Sequence, residues 1–416
     1  MNIGLVTQWF ASGAGHVSRS YAEVLSKTHR VFIYARGNPT LHGEPGWDGP
    51  EVTWAPPHPC STGIHATHFT RWATNRAIDA VLFNEQRHWS GVVVAKRLGL
   101  LTGAYVDYYT QSSVPLFDLY DFLVCNTRRH YSVFSRHPQC CLVPWGTSST
   151  ANPPTPERAA RPLTFILSSG WGGRYAQGQP WMDRRGAGLA MRVFRRVPGN
   201  CRLIVYSQVP LSECPPEWQA AVESDPRIDF RAGTFSPFPY WEGDVYVYPT
   251  RLDGIGLTLP EALSSGLPAI TTDSAPMNEF VRHGENGMLV AVQRFCARPD
   301  GYYWPESLCD EDSLTEAMRA YVGQPELARV HGARAREVAE RDLVWEKNAA
   351  NLGDWITAQE RLNVDMADFA RRCARYDRAQ CPTPWERILL GGHALFQQGL
   401  SKCRYAAAIT IPRLIP

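Results

Sequence analysis

Twice along this chain, short β-branched runs alternate with glycine turns and with apolar residues at helical spacing. A proline-rich stretch separates the two series. Such alternation builds parallel sheets with helices on both faces. The first series opens with a strand over Ile3–Thr7 and a tight loop over Ala11–His16. Val17, Tyr21, Val24 and Leu25 then share a helix face. Further strands are expected at Val31–Ala35, Ala80–Phe83, Gly103–Val106 and Phe122–Cys125, with a helix near Val92–Leu98. Residues 37–70, rich in Gly, Pro, His and Trp, read as long loops. Asn152-Pro153-Pro154-Thr155-Pro156 is the expected linker. Beyond it, strands are expected at Leu163–Ser168, Arg202–Ser207, Asp244–Tyr248, Pro268–Thr271 and Met288–Val290. Helical patterns cover Gly188–Arg196, Ser313–Tyr321, Pro325–Glu340 and Leu343–Tyr376.

The 42 basic and 40 acidic side chains nearly cancel, to a net charge of +2, so no nucleic-acid partner is expected. The eleven cysteines show no C-x-x-C spacing and read as reduced thiols, without a disulfide framework and without a protein-bound metal. The N-terminus has no basic region ahead of an apolar one, and no run of 18 apolar residues occurs. Neither a signal peptide nor a membrane-spanning helix is expected, and the reading is cytoplasmic.

The strongest chemical signal is the block Tyr248-Pro249-Thr250-Arg251-Leu252-Asp253-Gly254-Ile255-Gly256-Leu257-Thr258-Leu259-Pro260-Glu261-Ala262. It leaves a strand, crosses a Gly-x-Gly turn and opens a helix. Bare amides at such a turn suit an anion, and glycines let a phosphate approach. Asp253 and Glu261 bracket the turn with seven residues between them, an arrangement suited to hydrogen-bonding two sets of sugar hydroxyls on either side of a diphosphate. A second block follows: Ser265-Gly266-Leu267-Pro268, then Asn278-Glu279, then Gly284-Glu285-Asn286-Gly287-Met288-Leu289-Val290.

Together these blocks resemble the retaining nucleotide-sugar glycosyltransferases of family 4, in the GT-B superfamily. That resemblance implies an α/β chain of two Rossmann-like, doubly wound domains facing a cleft. Residues 1–155 would be the acceptor-binding domain and 156–342 the nucleotide-sugar domain. Residues 343–416 would be C-terminal helices packing back on the first domain. It implies transfer of a sugar from a nucleotide diphosphate sugar, as co-substrate, to a saccharide, lipid-linked or small-molecule acceptor, with no other cofactor. By resemblance, Asp253 faces the transferred sugar and Glu261 holds the ribose. Arg184 and Arg185 grip the diphosphate with the Gly254, Ile255, Gly256 and Leu257 amides. The family's first acid is usually Glu, so Asp253 is held about 1.5 Å nearer the backbone. Arg185 stands where a Lys is usual, and the placing of Arg174 in the preceding loop is open.

In the first domain, Gly13-Ala14-Gly15-His16 nearly fits a dinucleotide loop. By resemblance Gly13, Gly15 and His16 approach the donor phosphate across the cleft. The family's cleft-facing His after the strand Ala104–Val106 is missing, and Asp107 or Tyr108 takes its place; Asp107 joins Asp253 as a catalytic candidate. His65, His68 and His88 read as structural or surface residues. The tail Trp385–Arg404 has helically spaced apolar residues that either pack on the first domain or make a peripheral membrane contact. Two rival readings are an inactive binding protein on this scaffold and an NADP-linked oxidoreductase. The latter rests on the first βαβ unit and Arg36.

Overall fold

The computed structural model describes residues 1–36, 46–60, 62–148, 161–170 and 183–381. The expected linker, Arg174 and the tail Trp385–Arg404 lie outside the described residues.

The first sheet holds β1 Asn2–Gln8, β2 Arg30–Arg36, β3 Val52–Trp54, β4 Ala80–Asn84, β5 Leu101–Tyr105, β6 Phe122–Cys125 and β7 Cys140–Leu142. Their order is β3-β2-β1-β4-β5-β6-β7, all parallel. The second holds β8 Leu163–Gly170, β9 Cys201–Ser207, β10 Ile228–Ala232, β11 Val245–Tyr248, β12 Ala269–Thr272 and β13 Gly287–Val290. Their order is β10-β9-β8-β11-β12-β13, again parallel. Helices cover both faces of each sheet, so central strands such as β4, β5, β11 and β12 are buried along their whole length. In both sheets the order reverses beside the first strand, and the crevice at the carboxyl ends there is where α/β sheets take ligands.

The C-terminal helices return to the first domain. Phe369 and Cys373, on the helix Met366–Gln380, enter its core. Asp377 accepts the Trp89 and Ser90 amides at 2.8 and 2.9 Å, capping the helix Ser90–Arg97. Trp345 packs on Tyr21 and Trp145, with ring centroids 5.0 and 4.7 Å apart.

Several expectations are corrected. The pattern Leu343–Tyr376 is not one helix but three: Trp345–Asn348, Leu352–Thr357 and Met366–Gln380. First-domain side chains interrupt it, because Gln139 and Asp121 accept the Glu360 and Leu362 amides at 2.8 and 2.7 Å. Gly13 and Gly15 are not in a loop but in the first turn of the helix Gly13–Leu25. Ser12 caps that helix by accepting the Gly15 amide at 3.2 Å, which offsets glycine's poor propensity. The stretch 37–70 contains β3 and the start of the helix Ala66–Asn75. An antiparallel pair, β14 Val292–Cys296 and β15 Glu306–Cys309, forms an unforeseen arm.

The cysteines are not all reduced. Cys60 and Cys381 form a disulfide across 321 residues of sequence, a pairing that local spacing cannot reveal. It ties the end of the Met366–Gln380 helix to the first domain. Replacing Cys60 with Ser is expected to cost about 2–4 kcal/mol of unfolding free energy. Urea denaturation with and without a thiol reductant checks this: the reductant should destabilise the wild type and leave the variant unchanged.

Candidate active site

The strand ends of the two sheets face each other across a cavity of about 550 Å³. His16 and Arg19 line it from the first domain, and Arg185, Tyr206, Phe235, Phe238, Tyr240, Leu257 and Glu261 from the second.

The second-domain wall grows out of β11. Tyr246 and Tyr248 alternate with valines that face the other core, so both rings lie on the cleft side. The Tyr248 hydroxyl donates to Asp253 at 2.5 Å, and that of Tyr246 to Thr258 at 2.7 Å. Tyr240, just ahead of the strand, donates to Glu261 at 2.7 Å. The two acids are therefore each fixed by a tyrosine. The turn between them needs glycine: Gly256 has φ +79°, and a side chain on Gly254 would run into the Asp107 carboxylate.

Arg185 sits over this ladder, its guanidinium carbon 5.7 Å from the centre of the Tyr248 ring. Burial acts to lower its pKa, yet Tyr248 and Asp253 raise it overall, so the cation is permanent. Arg184 lies 3.8 Å from Asp253. Burial would raise the pKa of Asp253, but Arg184, Arg185 and the Tyr248 hydroxyl hold it below the ordinary value. Burial pushes Glu261 up against the pull of Tyr240 and Arg185. Among the described residues, Arg185 makes no ion pair, and the amides of Ile255, Gly256 and Leu257 have no acceptor. Three free amides and a half-buried cation are the complement of an anion with several oxygens.

From across the cleft, Gly13 faces the Leu257 side chain. Gly15 is required by packing, since a Cβ there would meet the Phe10 carbonyl. Of the four histidines singled out, His16 alone lines the cavity. His68 bonds the Tyr34 hydroxyl at 3.0 Å and His88 pairs with Asp377 at 3.3 Å. Asp107 abuts Gly254, beside Asp253, while Tyr108 stacks on Tyr302 of the arm at 5.2 Å. Burial, then the neighbouring Glu85 carboxyl, raises the pKa of Asp107 to about 7.

The motifs did not disclose Glu85, Tyr240 or Arg129, and gave Tyr248 only as the strand end that opens the block. Glu85 had a signal: it directly follows the β4 run, at the carboxyl end of a parallel strand. Arg36 does not suit a cofactor 2′-phosphate. It is 3% exposed and donates to the Asn84 carbonyl.

Comparison with known proteins agrees with this geometry. Residues 178–298 match the family model described as glycosyl transferases group 1. The lipopolysaccharide core biosynthesis mannosyltransferase LpcC of Rhizobium leguminosarum bv. viciae is 29% identical over 109 residues, 26% of either chain. The GtfA subunit of the UDP-N-acetylglucosamine–peptide N-acetylglucosaminyltransferase of Streptococcus pneumoniae is 23% identical over 70% of this chain and 52% of its own. The chain thus spans between a quarter and about half of the length of these curated relatives. Among solved structures, sucrose-phosphate synthase of Thermosynechococcus elongatus superposes with a TM-score of 0.65 at 16% identity, over 85% of this chain and 98% of that one. HepE of Anabaena, in complex with UDP and glucose, gives 0.64 at 12% identity, over 86% and 100%.

The proton on Asp107 has a measurable consequence. Its pKa is about 7 in the folded chain against an ordinary 3.8, so the folded state binds the extra proton between these values. This group therefore makes stability fall as pH rises from about 4 to about 7, and the effect levels off above. Asp107→Asn should remove that slope. Urea denaturation should show it gaining about 1–4 kcal/mol relative to wild type between about pH 5 and pH 8. A constant difference between the two proteins would contradict the assignment. In architecture, the parallel sheets, the facing strand ends and the returning C-terminal helices make this chain a GT-B protein.

Proposed function

We propose that the chain is a retaining glycosyltransferase of family 4, which moves a sugar from a nucleotide diphosphate sugar to an acceptor held mainly by the first domain. The observation that carries this reading is the half-buried Arg185, without an ion pair among the described residues, beside the free Ile255–Leu257 amides, with Glu261 in the same cavity. A half-buried cation aimed into a cavity attracts an anion, and a diphosphate supplies one with enough oxygens for both the guanidinium and the amides. Glu261, fixed by Tyr240, takes the ribose hydroxyls. Asp253, fixed by Tyr248, takes the sugar. Arg184, adjoining Asp253, joins Arg185 on the diphosphate. Gly13, Gly15 and His16 close over it from the other domain, Gly15 by allowing the helix turn its tight packing. Asp107 reaches the donor turn and acts with Asp253 at the reacting centre.

In this mechanism the acceptor hydroxyl attacks the anomeric carbon on the face that the diphosphate leaves. The bond from anomeric carbon to phosphate oxygen breaks, its electron pair goes to the diphosphate, and a diphosphate oxygen takes the acceptor proton. Preorganised positive groups around the leaving oxygens lower the barrier. They come from the chain itself, and no protein-bound metal or further cofactor is proposed. The solved complexes of HepE with UDP and glucose, and of pneumococcal GtfA with UDP and GlcNAc, support a nucleoside diphosphate donor. The relatives of lipopolysaccharide core biosynthesis support a saccharide or lipid-linked acceptor. Among the described residues no helix is long and apolar enough to cross a membrane.

Thermal denaturation with UDP, GDP, ADP, TDP, CDP and NADP tests this. One nucleoside diphosphate at about a hundred times its Kd should add roughly 2.7 kcal/mol. Arg185→Ala should weaken it by roughly 10- to 100-fold and Glu261→Ala by about tenfold, amounts set by charge-assisted hydrogen bonds. Stabilisation by NADP and by no nucleoside diphosphate would overturn the reading.

A further inference from the structure

Arg129 belongs to the first domain but spends its guanidinium on the second. It lies in the helix Arg128–Phe134, and Glu279 of the second domain accepts the Arg128 and Arg129 amides at 2.6 and 2.9 Å. Its Nη1 donates to the Ala275 carbonyl at 2.8 Å. Its Nη2 donates to the carbonyls of Asp253 at 2.5 Å and Gly254 at 3.4 Å. The residue is 6% exposed.

Those carbonyls are not incidental. The Gly254 carbonyl shares a rigid peptide plane with the Ile255 amide, the first of the three free amides, and points opposite to it. The Asp253 carbonyl shares a plane with the Gly254 amide, which donates to the Asp253 carboxylate at 3.0 Å. Fixing both carbonyls from behind aims the amide and the acid from in front.

The arm completes the arrangement. From the second domain it crosses to the strand end of β5. Tyr302 stacks on Tyr108 and donates to the Asp107 carbonyl at 3.2 Å. The Tyr303 amide donates to the Tyr109 carbonyl at 2.9 Å, and the Trp304 indole to the Tyr109 hydroxyl at 2.6 Å. The Trp304 ring lies 5.7 Å from the Arg129 guanidinium. Arg129 is thus seated only when the two domains are together.

We propose that Arg129 is a positioning residue for sugar transfer: with the arm it holds the domains closed, and it sets the Asp253–Ile255 turn in its working geometry. The claim rests on the transferase reading above. It makes the donor turn complete in the closed arrangement alone.

Two measurements test it, on Arg129→Met and, should that variant fold poorly, on Trp304→Ala, which alters the arm rather than a domain core. The first is X-ray scattering of the unliganded proteins, which does not depend on any activity. Both variants should show a larger radius of gyration than wild type, and unchanged scattering would overturn the proposal even if no donor is ever found. The second is a comparison of transfer kinetics with nucleoside diphosphate affinity. Misaiming a reacting group by about an ångström costs on the order of 100-fold. Arg129→Met should therefore lose that much in kcat, and Trp304→Ala less. The Kd for the nucleoside diphosphate should stay within about threefold. A kcat within about threefold of wild type would overturn the proposal. So would a parallel collapse of kcat and affinity, which would mark a general defect of the fold. A wild type that binds no nucleoside diphosphate defeats the transferase reading, and the scattering result then still decides the latch.

Discussion

The placement of one cation governs the rest of the second-domain wall. Arg185 is half-buried and makes no ion pair among the described residues, and withdrawing a guanidinium from water in this way is costly unless other groups compensate. Around Arg185 the compensation is distributed: the Tyr248 ring lies against it, and Asp253 and Glu261 sit nearby without pairing to it directly. Because neither acid is consumed by Arg185, Glu261 is left to the Tyr240 hydroxyl and to whatever enters the cavity, while Asp253, which does not line it, is held by the Tyr248 hydroxyl, the Gly254 amide and Arg184. The strand supplies this pattern cheaply. Alternation along β11 puts valines into one core and tyrosines into the cleft layer, so one short strand builds a hydrophobic face and a polar scaffold together.

The same economy joins the domains. At the back, Asp377 caps a first-domain helix, and the Cys60–Cys381 disulfide anchors the chain just beyond it. In front, the arm and Arg129 cross the cleft. The back attachment is covalent and capped; the front one is made of ring contacts and hydrogen bonds between elements of different domains. In the proposed reading this asymmetry has a use: only the weaker side can open to admit a substrate and reclose to exclude water.

Much of this was legible in the sequence, and what was not has physical reasons. Strands such as β4, β8, β9 and β11 carry three or more consecutive apolar residues because parallel strands are buried on both faces, and such runs need no knowledge of the rest of the chain. The Asp253 to Glu261 turn was readable for the same reason: spacing, glycines and helix start are all local. Gly13 and Gly15 were placed in a loop because glycine favours turns, yet the Ser12 cap and the close Phe10 carbonyl decide otherwise. Glu85 and Asp107 meet from separate strands, and Arg129 meets Asp253 from another domain. Cys60 finds Cys381 from nearly the far end of the described chain. No local pattern encodes contacts of that range. The arm was missed because β14 and β15 are short, and most of β14 faces solvent.

In the proposed reading, the aspartate at 253 changes the shape of the sugar subsite rather than merely shortening a side chain. Tyr248 and the Gly254 amide draw its carboxylate towards the strand end, so it cannot extend to recover the missing carbon–carbon length. The space is approached instead from the first domain, where Asp107 presses against the bare Cα of Gly254. Asp107, whose carboxyl keeps its proton up to about pH 7, can both donate and accept hydrogen bonds, which an ionised acid cannot. In this reading the sugar is gripped by acids from both domains, Asp253 ionised and Asp107 able to keep a proton. Its recognition depends on the cleft being closed, and that ties selectivity for the donor to the contacts that hold the domains together.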